Sequence, residues 1–278
     1  MQTDELIKAA LAEDIGEGDH TTEAIFPETH KGKARLKIKQ EGVLAGAGVA
    51  EKIFNHLDPE IKFRKYIDEG SRVKPGDIVF EVTGSSRAIL TGERTALNFM
   101  QRLSGIATYT ASLVKLIEGT GAVLLDTRKT TPMLRHLEKE AVRLGGAQNH
   151  RLGLYDMVMI KDNHIDFAGG IEQAITAVKQ YLNRAGKNLK IEIEVRNMEE
   201  LDRVLNFGGV DRIMLDNFTP EELSGAVKLI GGRYETEASG GITEANIREY
   251  ALTGVDFISV GALTHQIRSL DMSLLAEL

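Results

Sequence analysis

The sequence predicts an α/β protein in which a mixed α/β region of about a hundred residues precedes a domain built on a parallel sheet. Short apolar strands recur in the second part of the chain, helical segments separate them, and the strands end on polar residues. Strands that alternate with helices imply a parallel sheet. Regular spacing and polar strand ends favour a barrel, whose functional groups collect at the carboxyl ends of the strands. Six strands are clear, so an irregular, incomplete barrel is as well supported as a complete one, and a doubly wound open sheet is the alternative.

Composition places the chain among ordinary globular proteins. Its 278 residues are 42% apolar and 27% charged, and its net charge of −7 argues against a nucleic-acid partner. The absence of cysteine excludes disulfides, thiolate metal sites and a cysteine nucleophile. No apolar run reaches the length of a membrane span, and the first residues, MQTDELIKAALAEDIGEGD, are acidic where a secretion signal is basic. We therefore expect a cytoplasmic protein without a membrane or nucleic-acid partner.

The first region is predicted to contain a helix, a strand, a turn, a second strand and a long helix. Residues 3 to 13 have the apolar spacing of a helix capped by Thr3, and ARLKIKQEGVLAG alternates like a half-buried strand. VKPGDIVFEVTG follows as a turn and a strand, and residues 93 to 118 are predicted to be helical with a break at Gly105. GAGVAE has only two of the three glycines of a dinucleotide fingerprint, so it does not support a nucleotide fold.

The predicted strands of the second region are AVLLD, MVMIK, IEIEV, RIMLD, YETEAS and FISVG. Near their ends lie Asp126, Lys161, Glu194, Asp216, Ser239 and Gly261. The last four are separated by 22, 23 and 22 residues, which leaves room for one strand and one helix in each interval. In a parallel sheet these polar residues converge on one rim.

TPMLRHLEKEAVRLGG is predicted to be a helix that is capped by Thr131, has Pro132 in its first turn and ends at glycines. The face expected to be buried carries Leu134, Leu137, Ala141 and Leu144. The opposite face, expected to be solvated, carries His136, Lys139, Glu140 and Arg143. His136 is therefore not a candidate for the site.

Positive charge gathers at the predicted rim. DTRKTTP (residues 126–132) puts two adjacent cations directly after a strand, and the full set at strand ends and in loops is Arg128, Lys129, His150, Arg151 and Lys161. Any one of them could simply pair with a neighbouring acid, namely Asp126, Asp156 or Asp162. Five on one rim of an acidic protein favour a multiply anionic ligand, because guanidinium groups match carboxylates in two-point contact.

Two carboxylates, Glu194 and Asp216, end neighbouring predicted strands. They could act as general acid and base, or hold a hard divalent cation through oxygen. Beside a cationic pocket, Mg²⁺ carrying a phosphorylated substrate is the more economical hypothesis, and pairing with the rim cations is the alternative. Glu192, two residues before Glu194, shares its face of the strand.

Two glycine turns are candidates for anion binding. SGGIT (residues 239–243) places small residues before a helix that we expect Thr243 to cap, and VGALTH repeats the arrangement with Gly261. Backbone amides at a glycine turn and a helix start bind anions, and the last strands of barrels often hold phosphate this way.

Familiar catalytic motifs are absent: the sequence has no nucleophile elbow, no histidine pair with zinc spacing and no P-loop. Lys161 is the one candidate covalent nucleophile, which leaves open a Schiff-base barrel enzyme such as an aldolase. A non-catalytic protein that binds a phosphorylated anion is the second alternative.

Together these stretches resemble the quinolinate phosphoribosyltransferase family, the decarboxylating nicotinate-nucleotide pyrophosphorylases of NAD biosynthesis. The likeness rests on DTRKTTP, GGAQNHRLGLYDMVMIKDNHI, IEIEV, IMLDNF, SGGIT and VGALTH, and in the first region on EDIGEGDHTT, GVLAG and ERTALNFMQRLSGIAT. It covers nearly the whole chain. One departure is Arg196, which follows IEIEV where many relatives have an acid.

The resemblance implies a fold and an activity. The fold is an N-terminal α/β sandwich domain over residues 1–110, with 269–278 packing back on it, and an irregular, incomplete α/β barrel over 111–268. The activity is transfer of phosphoribosyl from 5-phosphoribosyl 1-pyrophosphate to quinolinate with decarboxylation, giving nicotinate mononucleotide, carbon dioxide and pyrophosphate. A homo-oligomer of at least two subunits is implied, in which Arg94 of ERTALN reaches the partner's site.

The resemblance also implies roles for individual residues. The carboxylates of quinolinate are received by Arg128, His150, Arg151 and Lys161, and Thr127 and Lys129 belong to the substrate-binding set. Glu194 and Asp216 face the ribose and the implied cofactor, Mg²⁺, and with Lys161 form the catalytic set. The 5′-phosphate is held by Ser239, Gly240, Gly241, Val260, Gly261 and Ala262.

Overall fold

The chain folds into two units, each built on its own large sheet. The structure is a computed structural model that describes residues 3–277. The first unit runs to Ala111 and also contains Thr130–Gly146 and the chain from Leu263 onwards, and the second comprises Ser112–Lys129 and Ala147–Ala262. The first unit is therefore discontinuous in sequence.

Strands and helices alternate through the second region, as the sequence predicts. The strands are β1 (Lys31–Ile38), β2 (Gly42–Val43), β3 (Lys62–Lys65), β4 (Arg72–Val73), β5 (Ile78–Ser85), β6 (Val123–Leu125), β7 (Val158–Ile160), β8 (Ile191–Val195), β9 (Arg212–Asp216), β10 (Glu235–Ser239), β11 (Phe257–Ser259) and β12 (Met272–Ala276). The helices are α1 (Thr3–Ile15), α2 (His20–Ile25), α3 (Ala47–Leu57), α4 (Ser86–Leu116), α5 (Arg135–Leu144), α6 (Asp162–Ala168), α7 (Ile171–Ala185), α8 (Met198–Phe207), α9 (Pro220–Ile230), α10 (Ile247–Ala251) and α11 (Ala262–His265). All six strands predicted for the second region are present, as β6 to β11.

The first unit contains a four-stranded antiparallel sheet in the order β12-β1-β5-β3. Alternation along β1 buries Leu36 and Ile38, as expected for a strand with one face on a core. Helix α3 supplies Phe54, whose ring centroid lies 6.2 Å from that of Phe80 in β5 and 6.4 Å from that of Phe63 in β3. A helix therefore packs on the sheet, in agreement with the α/β sandwich expected for this region.

The last strand of the chain completes this sheet. β12 pairs antiparallel with β1, so that Met272 lies opposite Ile38 and Ala276 lies opposite Ala34. Met272 is 2% exposed and Leu274 is 8% exposed, so the strand adds apolar side chains to the core of the first unit.

Helix α4 is one continuous helix of 31 residues, so the predicted break at Gly105 is wrong. A Cβ atom at Gly105 would lie 2.2 Å from the carbonyl oxygen of Arg268. Glycine is needed there because another backbone comes close to the helix, and not because the helix changes direction.

Helix α5 begins later than predicted. Its first residue is Arg135 and its N-cap residue is Leu134, so the start at Thr131 and Pro132 is wrong. Met133 has a φ of +68°, a left-handed conformation that interrupts a helix.

The solvated face expected for α5 is also partly wrong. Lys139 is only 2% exposed, and the adjacent Glu138 is fully buried. Glu138 accepts hydrogen bonds from Nε of Arg102 at 2.9 Å and from the amide of Thr131 at 3.1 Å. An ion pair between Arg102 and the fully buried carboxylate of Glu138, and not only an apolar stripe, therefore anchors this helix within the first unit.

The second unit contains a six-stranded parallel sheet in the order β6-β11-β10-β9-β8-β7. Strands β7 to β11 are neighbours in chain order, and the last, β11, returns beside the first, β6, which is the order of a barrel and not of a doubly wound sheet. Among residues 3–277 no ladder joins β6 to β7, although an isolated parallel bridge links Leu125 to Gln148 at the free edge of β6. The prediction of an irregular, incomplete barrel is confirmed.

In the described part of the chain, no helix has the length and apolar character that a membrane crossing requires. The cytoplasmic location expected from the sequence stays a prediction.

Candidate active site

A cavity of about 510 Å³ lies at the carboxyl ends of the parallel strands. Predicted site residues that line it are Thr127, Arg128, Lys129, His150, Arg151, Lys161, Glu194, Asp216, Ser239, Gly240 and Gly241. The lining also contains residues that the sequence did not single out for the site, namely Met159, Met214, Asn217, Glu237 and Ser259. Arg94, Val260, Gly261 and Ala262 are not among the lining residues. The barrel thus gathers most of the predicted set in one place.

Asp126, the acid of DTRKTTP, connects two loops through hydrogen bonds. Asp126 is fully buried and accepts hydrogen bonds from Nδ2 of Asn149 at 2.6 Å and from the amide of His150 at 2.8 Å. Thr127 Oγ1 accepts the amide of Lys129 at 3.0 Å, which folds the next residues into a turn. The acid and hydroxyl that end this strand therefore position the loops that carry the cations.

Arg151 lies in a half-buried position near a second cation. Burial lowers the pKa of Arg151, and the positive charge of Arg128 lowers it further. Nη1 of Arg151 donates to the carbonyl of Met157 at 3.2 Å, and Asp156 accepts the amide of Leu152 at 2.7 Å within the same loop. Two guanidinium groups are thus held where they repel each other, a cost that an anionic ligand offsets.

Lys161 and Glu194 form a close ion pair. Nζ of Lys161 lies 2.7 Å from Oε2 of Glu194, which is 7% exposed. This contact matches the alternative in which a strand-end acid pairs with a rim cation. A Schiff-base enzyme needs its amine free to attack a carbonyl, so an ammonium that donates to a carboxylate disfavours that reaction.

Asp216 shares the oxygen-rich side of the cavity with Glu194. Burial raises the pKa of Asp216, and the negative charge of Glu194 raises it further. Nδ2 of Asn217 donates to Oδ2 of Asp216 at 2.6 Å. Two carboxylates that repel each other in one pocket are a common arrangement for holding a cation.

Asn217 is a site residue that sequence reasoning missed. Its φ of +58° places it in the left-handed region, and its amide donates to the carbonyl of Ser239 at 2.8 Å. A Cβ atom at Gly240 would lie 2.2 Å from Oδ1 of Asn217, so the glycine makes room for this side chain. The available signal was an asparagine directly after a strand-ending aspartate, because asparagine tolerates the left-handed region.

The helix that follows the first glycine turn begins later than predicted, whereas the second turn leads directly into its helix. Gly240 and Gly241 have φ values of +93° and +63°, but helix α10 starts only at Ile247 with Asn246 as N-cap residue. The prediction that Thr243 caps the helix is therefore wrong. The second turn does lead directly into α11, a four-residue helix.

A buried charged cluster borders the cavity. His150 Nε2 lies 3.0 Å from Oε2 of Glu192 and 3.2 Å from Oε2 of Glu237, and both carboxylates are fully buried. Nη1 of Arg212 donates to Oε2 of Glu237 at 3.0 Å. This cluster places buried charged side chains inside the barrel, where apolar side chains usually form layers.

Charge and burial oppose each other in this cluster. Burial alone would lower the pKa of His150, whereas the charges of Glu192 and Glu237 raise it. Burial and then the charge of Glu237 raise the pKa of Glu192 to about 7. The three groups together thus retain a proton that exposed groups of the same types release at lower pH.

Arg94 is exposed on α4 and belongs to the first unit. Its contribution to a partner subunit's site stays a prediction.

The fold and the cavity define a class of protein. It is an α/β-barrel protein whose strand ends combine guanidinium groups, a lysine–glutamate pair, a second carboxylate and a glycine turn, which suits a multiply anionic ligand with a divalent cation.

Comparison with known proteins identifies the family. The family model described as quinolinate phosphoribosyl transferase, C-terminal domain, matches residues 106–275, and the model of the N-terminal domain matches residues 19–104. The chain belongs to the quinolinate phosphoribosyltransferase family.

Similar proteins come from plants and bacteria. The chain is 43% identical to quinolinate phosphoribosyltransferase (decarboxylating) 2b, mitochondrial, of Nicotiana tabacum, over 97% of this chain and 81% of that protein. It is 42% identical to the probable nicotinate-nucleotide pyrophosphorylase (carboxylating) of Bacillus subtilis (strain 168), over 99% of this chain and 93% of that protein.

Solved structures of similar sequence have the same fold. The crystal structure of NadC from Streptococcus pyogenes has a TM-score of 0.93 and 42% identity, covering 99% of this chain and 96% of that one. The nicotinate-nucleotide pyrophosphorylase from Francisella tularensis gives the same TM-score, identity and coverage.

Proposed function

We propose that this protein transfers the phosphoribosyl group of 5-phosphoribosyl 1-pyrophosphate to quinolinate with decarboxylation, giving nicotinate mononucleotide, carbon dioxide and pyrophosphate. One observation carries the proposal: a single cavity combines the guanidinium groups of Arg128 and Arg151 with the carboxylates of Glu194 and Asp216. The guanidinium groups suit a dicarboxylate, and the carboxylates suit a ribose and a divalent cation. Membership of the family supports the same reaction.

Quinolinate would bind at the cationic side of the cavity. Arg128 repels Arg151 and lowers its pKa, and a ligand with two carboxylates removes that repulsion. A guanidinium group presents parallel donors that match a carboxylate in two-point contact. Lys161 supplies a further cation, and Thr127 and Lys129 lie in a turn that lines the same cavity.

The phosphate would bind at the glycine turns. Consecutive glycines with positive φ form the kind of turn in which backbone amides bind anions, and Gly240 and Gly241 meet that description. The set proposed to hold the 5′-phosphate is Ser239, Gly240, Gly241, Val260, Gly261 and Ala262.

Mg²⁺ would be held by Glu194 and Asp216. The donors are carboxylate oxygens, which this cation prefers. Glu194 raises the pKa of Asp216, and a cation between the two carboxylates would reverse that effect, so the residues fit the ion. When bound, Mg²⁺ supplies charge that stabilises pyrophosphate as a leaving group.

The reaction needs positioning and charge stabilisation. The pyridine nitrogen of quinolinate forms a bond to the anomeric carbon of the ribose while the bond to pyrophosphate breaks, and the transition state is oxocarbenium-like. The quaternised ring then accepts the electron pair of the bond to the 2-carboxylate, carbon dioxide leaves, and a proton takes its place on the ring carbon. Lys161, held by Glu194 at 2.7 Å, would stabilise the carboxylate before it leaves.

Turnover by the purified protein tests the reaction. Quinolinate, 5-phosphoribosyl 1-pyrophosphate and Mg²⁺ are supplied, and nicotinate mononucleotide is measured by mass spectrometry beside a reaction that contains nicotinate instead. Product from quinolinate alone supports the proposal. Product from nicotinate would show that nicotinate, and not quinolinate, is the acceptor. A folded protein that is stabilised by the phosphorylated substrate but forms no product from either acceptor would be a non-catalytic anion binder.

One substitution tests the cationic side of the cavity. Arg128→Ala should abolish turnover and leave the thermal unfolding temperature near that of the wild type, because Arg128 is exposed. Arg196→Ala is the matched control, since Arg196 pairs with Glu200 and Asp166 and does not line the cavity. An active Arg128→Ala protein would remove Arg128 from the site.

The assembly is proposed to be a homodimer in which Arg94 completes the site of the partner. An exposed arginine on α4 that does not line the cavity of its own chain is consistent with this arrangement.

A further inference from the structure

Both ring nitrogens of His150 face protein groups. Nδ1 accepts the amide of Arg151 at 2.7 Å. Nε2 lies 3.0 Å and 3.2 Å from the carboxylates of Glu192 and Glu237. The side chain is 4% exposed, so the ring has no free nitrogen to offer a ligand in this arrangement.

These contacts determine where the ring carries its proton. A nitrogen that accepts an N–H group uses its lone pair and cannot also hold a hydrogen, so Nδ1 is unprotonated. Nε2 therefore carries the N–H, and it lies at ion-pair distance from the carboxylates of Glu192 and Glu237. Two buried carboxylates beside Nε2 favour this tautomer, because each needs a donor.

The backbone is consequently fixed on both sides of His150. The amide of His150 donates to Asp126 at 2.8 Å, and the amide of Arg151 donates to the ring at 2.7 Å. The guanidinium group that follows is itself held, since Nη1 donates to the carbonyl of Met157 at 3.2 Å. The imidazole thus sets the start of the side chain that reaches the cavity.

We propose that His150 is a positioning residue: Glu192 and Glu237 hold it as the Nε2–H tautomer, and its Nδ1 fixes the backbone of Arg151 for binding the dicarboxylate. The role in substrate binding rests on the proposed function, whereas the tautomer and its hydrogen bond do not. Arg212, which donates to Glu237 at 3.0 Å, keeps that carboxylate charged and in place.

The same three side chains have a second interpretation, because their ligand atoms lie within 4.8 Å of one another, as in a metal site. The guanidinium of Arg212 bonded to Glu237 makes a cation there less favourable, since it adds a positive charge to the cluster. The arrangement in which Nε2 carries a proton between the two carboxylates needs no metal ion and is the one we adopt.

Nitrogen NMR on the ligand-free protein tests the tautomer. The charges of Glu192 and Glu237 raise the pKa of His150, but a second ring proton would have to break the hydrogen bond that Nδ1 accepts from the amide of Arg151 at 2.7 Å. We therefore expect the ¹⁵N shifts of a neutral Nε2–H ring between about pH 6 and pH 8, with a retained Nδ1 hydrogen bond. The groups that face the ring are Glu192, Glu237 and the amide of Arg151, and Asp126 accepts the backbone amide of His150. A doubly protonated ring, or an equivalent of bound transition metal that is lost in Glu192→Gln, would overturn the proposal whether or not the protein turns over quinolinate.

Two substitutions separate positioning from direct binding. His150→Asn places the Oδ1 acceptor of asparagine where Nδ1 of the histidine was. A side-chain oxygen at this position can accept the amide of the following residue, as Oδ1 of Asp162 accepts the amide of Asn163 at 2.7 Å. His150→Gln keeps a donor near the place of Nε2 instead. We expect His150→Gln to raise KM for quinolinate roughly tenfold and His150→Asn to raise it less than about threefold, the difference of one hydrogen bond.

KM for 5-phosphoribosyl 1-pyrophosphate should change little in either variant, which a general loss of structure would not produce. The reverse order, with His150→Gln active and His150→Asn defective in quinolinate binding, would make His150 a direct ligand. If the wild type itself forms no product, the function fails, and the tautomer is still decided by NMR.

Discussion

At the scale of single residues, Arg128 and Arg151 show how two like charges in one cavity repel each other. The pKa of Arg151 is lowered by burial and by Arg128, so each guanidinium is less favourable beside the other than it would be alone. A dianionic ligand removes this repulsion and gains two-point hydrogen bonds. Affinity for a dicarboxylate is thus prepared in the free protein.

The shape of the guanidinium should matter as well as its charge. Arg151→Lys keeps the positive charge but loses the parallel donors, so we expect KM for quinolinate to rise at least about tenfold while KM for 5-phosphoribosyl 1-pyrophosphate changes little. Steady-state kinetics with each substrate varied in turn measures both. Arg196→Lys, outside the cavity, is the control. Unchanged quinolinate kinetics in Arg151→Lys would show that only charge is required.

Two adjacent glycines offer a matched test of the phosphate side. A Cβ atom at Gly240 would lie 2.2 Å from Oδ1 of Asn217, whereas one at Gly241 would meet nothing within 4 Å. Both have positive φ, so both alanine variants carry backbone strain, but only Gly240→Ala must displace the side chain that donates to Asp216. We expect Gly240→Ala to cost about 1–3 kcal/mol more than Gly241→Ala.

Urea unfolding measures that difference, and KM for 5-phosphoribosyl 1-pyrophosphate should rise in Gly240→Ala well beyond its value in Gly241→Ala. Equal effects of the two substitutions would mean that Asn217 does not hold the site.

At the scale of elements, helix α2 shows how one cap links stability to pH. Asp19 caps this helix by accepting the amide of Thr22 at 3.0 Å, and it also accepts the hydroxyl of Thr91 at 3.0 Å. The hydrogen bonds from Thr22 lower the pKa of Asp19 from 3.8. The carboxylate therefore stabilises the fold above the unfolded-state pKa of 3.8, and this contribution is lost as the pH falls through the lower folded-state pKa.

Asp19→Ala should lower the free energy of unfolding by about 1 kcal/mol at neutral pH. Asp19→Asn keeps the cap without the charge, so its deficit should be smaller and should shrink as the pH falls below about 4. Urea unfolding of the three proteins at neutral and acidic pH provides the measurement. A deficit in Asp19→Asn that grows on acidification would show that the charged carboxylate does not stabilise this helix.

The elements also show which parts of the fold a sequence can predict. Most of the six strands of the barrel were found because they are short runs rich in apolar residues with a polar residue or a glycine near the end. The start of α5 was missed because Met133 adopts positive φ, which local propensity does not favour. Gly105 was misread for a related reason: its neighbour, the carbonyl of Arg268, is distant in sequence.

At the scale of the molecule, the barrel explains why part of the site was predictable. Residues at strand ends, such as Arg128, Lys161 and Asp216, could be gathered on one rim because a parallel sheet directs all its carboxyl ends the same way. Glu237 was missed because it lies inside the strand YETEAS and not at its end, and its burial is not visible in the sequence. Its pairing with His150 and Arg212 depends on strand order, which the sequence does not state.

At the same scale, mixing two inactive variants tests whether Arg94 acts in the site of the partner subunit. If Arg94 serves the partner's site, then Arg94→Ala and Lys161→Ala should each be inactive alone, because each damages every site. Co-expression of the two should restore about a quarter of wild-type activity, because half of the dimers are mixed and each mixed dimer has one intact site. Lys161→Ala with Glu194→Ala is the control, since both residues belong to the same cavity and every site in the mixed dimer stays damaged. Stable mixed dimers of Arg94→Ala and Lys161→Ala without activity would place the action of Arg94 within its own chain.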